Sequence, residues 1–375
     1  MNKKIIYLCA CAVAGLMLTT SCQDSLETDS SNSNTRSVII DKNIFAVKGR
    51  INVKLTEAAT RAIPATRSGK IDMQSVPSPM LSAMNYAGAY RMERVFKPAG
   101  VYEARTKAAG LDRWYTIYFD DSKDVSAVIE HFNKVKGVEF AERILPISQP
   151  KETSMPYEGS ASGMQTRSGN SAFNDPLLSK QWHYYNDGTI SPRAKKGADC
   201  NVLPVWEKYT TGKSNVIVAV VDGGIDVTHE DLVDNLYVNE KEKNGQPGVD
   251  DDGNGFVDDV NGYNFVEATD VVGGTIEPDD EGHGTHVAGT VAARNNNGKG
   301  VSGIAGGDCS TGSGVRLMSC QIFRNKNEQG DATAAIKYAA DNGAIICQNS
   351  WGYSSTAGVT EMPEMLKEAI DYFIK

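Results

Sequence analysis

The sequence predicts an α/β domain built on a parallel sheet in its C-terminal half, preceded by a smaller α+β module. Three observations predict it. Apolar runs at 216–222, 316–323 and 344–350 read as strands covered on both faces. Helical spacing at 283–295, 332–342 and 363–373 alternates with those runs, as a parallel sheet with flanking helices requires. Upstream, residues 44–148 contain short alternating segments and helical segments in the order β-α-β-β-α-β.

The elements of the smaller module follow in order. Ile51-Asn-Val-Lys-Leu55 alternates like a strand, and a helix is expected over 79–87. Tyr90–Phe96 and Trp114–Phe119 read as two more strands. Val125–Val135 has helical spacing, and Val138–Leu145 closes the module as a strand. This is the ferredoxin-like order, which many unrelated proteins share.

Around these two units the chain divides by composition. Lys3 and Lys4 precede an apolar stretch from Ile5 to Leu18, then Thr19-Thr-Ser-Cys22, so residues 1–22 read as an export signal. A small residue before cysteine at that place resembles a bacterial lipoprotein signal, with Cys22 as the lipidated residue; an ordinary cleaved signal peptide is the alternative. Residues 23–43 are a polar, disordered tether. The smaller module spans 44–148, a Ser/Gly/Thr/Pro linker spans 149–173, and the α/β domain spans 174–375. Thr-Arg-Ser recurs at Thr35, Thr66 and Thr166, either by chance or as sites for an Arg-specific protease. The expected location is the cell envelope or the exterior, with contact to a membrane only through a lipid anchor.

A chain of 375 residues has room for two or three domains. The net charge of -9 argues against nucleic acid as a partner, because phosphate binding needs a basic face. No internal segment is long and apolar enough to span a bilayer. After removal of the signal, Cys200, Cys309, Cys320 and Cys347 remain besides Cys22; Cys320 and Cys347 lie in strand-like runs and read as buried free thiols.

In α/β sheets the functional residues gather at the carboxyl ends of strands. Two segments stand there: Ile217-Val-Ala-Val-Val-Asp222-Gly-Gly-Ile-Asp226 and Asn349-Ser-Trp-Gly352. A third, Gly282-His283-Gly-Thr-His286-Val-Ala-Gly, opens an apolar helix with a histidine. A serine hydroxyl is a poor nucleophile at neutral pH and needs a base; His283 suits that role, and Asp222 suits the one that fixes its tautomer.

At these residues the chain resembles the subtilisin-like serine proteases, in which Asp, His and Ser come in that order. The resemblance implies an endopeptidase acting on peptides or proteins, with Asp222 and His283 catalytic. It makes Ser350, Trp351 and Gly352 a substrate-binding edge, with the opposite edge near Gln329-Gly330-Asp331. It makes the smaller module a propeptide whose tail, 144–149, lies in the cleft, and His286 a packed neighbour of His283. Gly223 departs from the family pattern, where a small side chain beside the aspartate is usual, so a hydrogen bond to Asp222 is expected to be missing. No Gly-Thr-Ser-Met-Ala type segment follows His283, so the chain is expected to be truncated before the nucleophile and inactive as it stands. The alternative is a non-catalytic, calcium-binding lipoprotein that binds peptides or inhibits a protease.

One further motif concerns a metal. Asp250, Asp252 and Asn254 supply oxygens at positions 1, 3 and 5 of an EF-hand-like loop, with the Phe256 carbonyl at 7 and Asp258 at 9. Position 12 is Asn261 rather than Glu, so a calcium loop is expected and not an EF-hand domain. No Lys or Arg occurs between Asn244 and Ala293, so the acidic residues there repel one another unless a cation neutralises them; a solvated acidic loop is the alternative. The resemblance adds that subtilisin-like proteases commonly carry structural calcium.

Overall fold

The computed structural model describes residues 40–41, 45–64, 66, 68–150, 172–189, 191–267, 273–279, 281–325, 328–353 and 361–375. The export segment with Cys22 and most of the 149–173 linker lie outside the described residues.

The first unit contains β1 (Arg50–Leu55), α1 (Ser78–Ala87), β2 (Arg91–Arg94), α2 (Glu103–Ala108), β3 (Trp114–Tyr118), α3 (Val125–Asn133) and β4 (Val138–Arg143). Its antiparallel sheet has the order β2-β3-β1-β4. Local chemistry sets the helix limits. Asp124 caps α3 by accepting the Ala127 N–H at 2.7 Å, and α1 stops at Gly88, which takes φ 64°. Met80, Met84, Val128 and Phe132 pack against Ile51, Val53, Leu55 and Ile117, so the two longer helices cover one face of the sheet. The short α2 breaks no sequence rule but is too brief to show a periodicity.

A two-residue strand, β5 (Ile147–Ser148), leaves the first unit after β4. The second unit contains β6 (Ile217–Asp222), β7 (Gly262–Asn264), α4 (His283–Ala292), β8 (Arg316–Gln321), α5 (Ala332–Asp341), β9 (Ile346–Asn349), β10 (Gly352–Tyr353) and α6 (Glu364–Ile374). Strands β9-β6-β8-β7 form a parallel sheet in that order. The expected helix over 283–295 ends at Ala292, because Arg294 turns away to donate its N–H to the Asp231 carbonyl at 2.8 Å. Strand β7 is a fourth member that the three apolar runs do not reveal.

The unbroken apolar run of β6 has a simple cause. Val218 and Val220 face Val287, Ala288 and Ala292 of α4. Ala219 and Val221 face the layer of α5 and α6. Each fully buried aliphatic side chain of this kind stabilises by roughly 1.5–3 kcal/mol. Cys320 and Cys347 are buried free thiols, as expected, and burial pushes Cys347 up to about 12.

The outer face of the first sheet is covered by the second unit. Trp114 is fully buried among α5 and α6 residues, and its Nε1 donates to Glu368 Oε2 at 2.8 Å. Lys54 pairs with the same Glu368. Helix α6 has no side-chain cap of its own; Glu142 of β4 accepts the Glu364 and Met365 N–H groups at 3.0 and 3.3 Å. No helix among the described residues is long and apolar enough to cross a membrane.

Candidate active site

Strand β6 delivers Asp222 at its carboxyl end, fully buried. Helix α4 delivers His283 as its first residue, 4 % exposed. His283 Nδ1 lies 2.6 Å from Asp222 Oδ1, the contact expected when a carboxylate fixes an imidazole tautomer. Gly284 allows this approach: a Cβ there would stand 2.3 Å from the Gly224 carbonyl oxygen, so only glycine lets α4 sit on the turn after β6. Asp222 Oδ1 also accepts the Gly223 N–H at 2.7 Å, while its Oδ2 is buried with no hydrogen-bond partner among the described residues.

The start of α4 depends on a residue the motif does not reveal. Asp279 Oδ1 accepts the His283 N–H at 3.0 Å, and the Asp279 N–H donates to the Gly223 carbonyl at 2.7 Å. Gly282, with φ 68°, supplies no side-chain cap. The expectation that His286 packs beside His283 is corrected: His286 is exposed on α4, whereas His283 is buried at the helix start. Its proximity adds to burial, the larger cause, in holding His183 below the ordinary histidine value.

A groove lies beside this pair, and the chain's own tail occupies it. β5 pairs antiparallel with β10, Ser148 opposite Gly352 and Ile147 opposite Tyr353. From the other side Gln329 Nε2 donates to the Ile147 carbonyl at 2.8 Å. Gln149 then reaches the Asp–His pair, with Nε2 3.0 Å from Asp222 Oδ1 and 2.9 Å from Asp279 Oδ2. The pairing edge differs from the expected Ser350-Trp351-Gly352. The ladder uses Gly352 and Tyr353, while Ser350 Oγ accepts from Gln348 Nε2 at 2.7 Å and Trp351 packs against the core shared by the two units. Continuing the ladder would set Pro150 opposite Ser350, and proline has no N–H to give.

The serine hydroxyls described after His283 are engaged elsewhere. Ser302 donates to Asp175, Ser310 to Asp308, Ser313 to the Ser310 carbonyl, and Ser319 accepts the Ile225 N–H.

The acidic loop gathers a carboxylate group away from the groove. Oxygens of Glu242, Asp250 and Asp252 lie within 4.8 Å of one another. Glu242 was not readable from the loop spacing; its Oε1 accepts the Asp251 and Asp252 N–H groups at 2.7 and 3.0 Å and its Oε2 that of Asp258 at 2.9 Å. Asp258 does not join the group, a correction to its expected place as ligand: its φ of 54° swings the carboxylate to the Gly248 N–H, which donates to both oxygens. Asn254 Oδ1 likewise accepts the Phe256 N–H at 2.7 Å, and the Phe256 ring is buried against Tyr338. Burial, with Asp252 and Glu242 nearby, pushes the neighbouring Asp259 carboxyl up to about 7.

A carboxylate–imidazole pair at the end of a parallel sheet, beside an edge that pairs with an extended segment, is the arrangement found in serine-peptidase families. Residues 213–374 match the Subtilase family and residues 30–188 match the N-terminal of Subtilase family. The chain belongs to the subtilase family, and its first unit is the propeptide domain. Similar proteins include Subtilisin-like protease 1 of Plasmodium vivax, 37% identical over 145 residues, 38% of this chain and 21% of that protein. The Plasmodium berghei protein of the same name is 35% identical over 188 residues, 49% of this chain and 27% of that protein. Kexin of Saccharomyces cerevisiae is 27% identical over 228 residues, 60% of this chain and 23% of that protein. The chain therefore spans 21% to 27% of the length of these three relatives. The crystal structure of fervidolysin from Fervidobacterium pennivorans aligns with a TM-score of 0.48 and 21% identity, over 92% of this chain and 41% of that one.

Proposed function

We propose that this chain carries the Asp–His part of a serine endopeptidase, held closed by its own propeptide tail. The observation that supports it most is the 2.6 Å contact between buried Asp222 and His283 beside a groove that already holds an extended segment. In this reading His283 takes the proton of a serine hydroxyl as the hydroxyl attacks a peptide carbonyl, then gives it to the leaving amine. Asp222 holds the imidazole with Nδ1 toward itself, which turns Nε2 to the reacting atoms, and stabilises the imidazolium. The substrate backbone takes the place of β5 along β10, with Gln329 on its other side. Ser350 and Trp351 continue that edge toward the reacting bond.

The Glu242, Asp250 and Asp252 oxygens fit a hard divalent cation such as calcium, with Asn254 and the Phe256 carbonyl within the same loop. Calcium there would neutralise the loop and hold its turn. Export and lipidation at Cys22 complete the reading, placing the enzyme at the cell envelope.

The test is peptide hydrolysis by the protein expressed from its complete reading frame. His283→Ala is expected to cost at least about 10⁴-fold in kcat, and Asp222→Asn about 10⁴-fold. Hydrolysis undiminished in His283→Ala would falsify the assignment.

A further inference from the structure

We infer that the groove reads the side chain in the Gln149 position through a two-carboxylate subsite, Asp222 and Asp279, that selects hydrogen-bond donors and cations. This rests on the reading of the groove as a substrate cleft, and it concerns which peptides the cleft accepts.

The argument starts from Gly223. Its φ is not in the left-handed region, so backbone freedom does not call for glycine here. Space does. A Cβ at 223 would stand 1.4 Å from Asp279 Oδ2 and 2.4 Å from its Cγ. Any side chain beside the catalytic-position aspartate would therefore evict the Asp279 carboxylate. Asp279 is itself 7 % exposed; the His283 N–H holds its carboxylate at Oδ1, and its backbone N–H is anchored on the Gly223 carbonyl. Its second oxygen is left facing the groove, beside Asp222. The Gln149 amide group spans the two, donating to each at about the same distance.

Two fixed acceptors carrying negative charge have no donor of their own to offer. A side chain with an NH₂ or an ammonium satisfies them. A methylene chain leaves Asp279 Oδ2 desolvated and unpaired and takes one donor from Asp222 Oδ1, which keeps its contacts with His283 and the Gly223 N–H; a carboxylate adds a third like charge. The subsite thus favours Gln, Lys or Arg, and rejects Met, Leu and Glu. Loss of a hydrogen bond to a charged group corresponds to roughly tenfold or more in docking equilibrium.

The full chain tests this, because its own tail reports on the subsite. Amide hydrogen exchange is measured across 145–149 and 350–353, where β5 and β10 pair, in Gln149→Lys, Gln149→Met and Gln149→Glu. Protection is expected to stay level or rise in the Lys variant, to fall about tenfold in Met, and to fall about a hundredfold in Glu. The Lys-to-Met difference is expected to collapse when Asp279→Asn is added, while exchange in β6 and β8 stays unchanged and shows the sheet intact. Equal protection in the Lys and Met variants with Asp279 in place overturns the subsite. If Asp279→Asn loosens β6 and β8 as well, the same comparison is read in Gly223→Ser, whose side chain displaces the Asp279 carboxylate; a surviving Lys-to-Met difference there also overturns it. Failure of the protease reading shows itself separately, as hydrolysis indifferent to His283, and leaves this exchange order in place as that of a peptide-binding groove.

Discussion

Replacing Glu142 with glutamine separates charge from shape where the propeptide domain caps a helix of the other unit. Two effects oppose each other at this carboxylate. The Glu364 and Met365 N–H groups at the positive end of α6 favour the charged form, and burial together with Glu364 and Glu368 disfavours it. Burial is the largest, and the carboxyl rises from 4.5 to about 7. The folded protein therefore holds this proton where the unfolded chain has released it. Stability from the group is present below pH 4.5 and is lost as the pH rises through about 7. At 1.36 kcal/mol per pKa unit the full swing is about 3 kcal/mol, and relaxation around a group that is not wholly enclosed lowers it to about 1–2 kcal/mol. Glutamine keeps the shape of the protonated acid and never ionises. Urea denaturation of the full chain, followed by tryptophan fluorescence, is expected to give E142Q within about 0.5 kcal/mol of the parent at pH 5 and about 1–2 kcal/mol above it at pH 8. The opposite result at pH 8, a variant less stable by about 1 kcal/mol, is what a dominant charged cap predicts, and it would refute the reasoning.

Three other outcomes are expected. Gly223→Ala pushes the Asp279 carboxylate off the α4 terminus and is expected to cost about 1–3 kcal/mol in the same denaturation assay; a change under about 0.5 kcal/mol contradicts the close approach. Asp331→Ala removes the acceptor of the Thr333 and Ala334 N–H groups and is expected to uncap α5 at a cost of about 1 kcal/mol, read as a lowered urea midpoint with unchanged slope. Calcium at about 100 times its Kd is expected to stabilise the protein by about 2.7 kcal/mol, a gain lost in Glu242→Ala and Asp252→Ala; stabilisation surviving in both variants removes the loop as the site.

Much of the fold is legible because the signals are local. An apolar run with no polar face announces β6, and helical spacing from Val125 and from Ala332 places two helix starts where α3 and α5 begin. Asp222 and His283 are readable as neighbours because each sits in a distinctive short segment. What stays hidden depends on residues far apart in the chain. Glu142 caps a helix that begins 222 residues later. Glu242 meets Asp250 through a turn that no spacing rule describes. Asp279 stands in the sequence as one acid among many; its position has meaning only beside Gly223, 56 residues earlier in the numbering. Strand β7 is three residues long and surrounded by acidic loop, too short for any periodicity.

The tail in the groove has a consequence for competition. β5 begins four residues after β4 ends, and β4 belongs to a sheet docked against α6 through Trp114 and Glu142. The segment is thus a tethered ligand, present at its site at an effective concentration on the order of millimolar, whatever the protein concentration. A free peptide of similar sequence meets that as its rival, and micromolar peptide leaves the groove shut. One cut in the chain after Gln149 changes the order of the equilibrium. The propeptide domain then becomes a separate molecule, its occupancy falls with dilution, and the groove opens simply because the solution is thin.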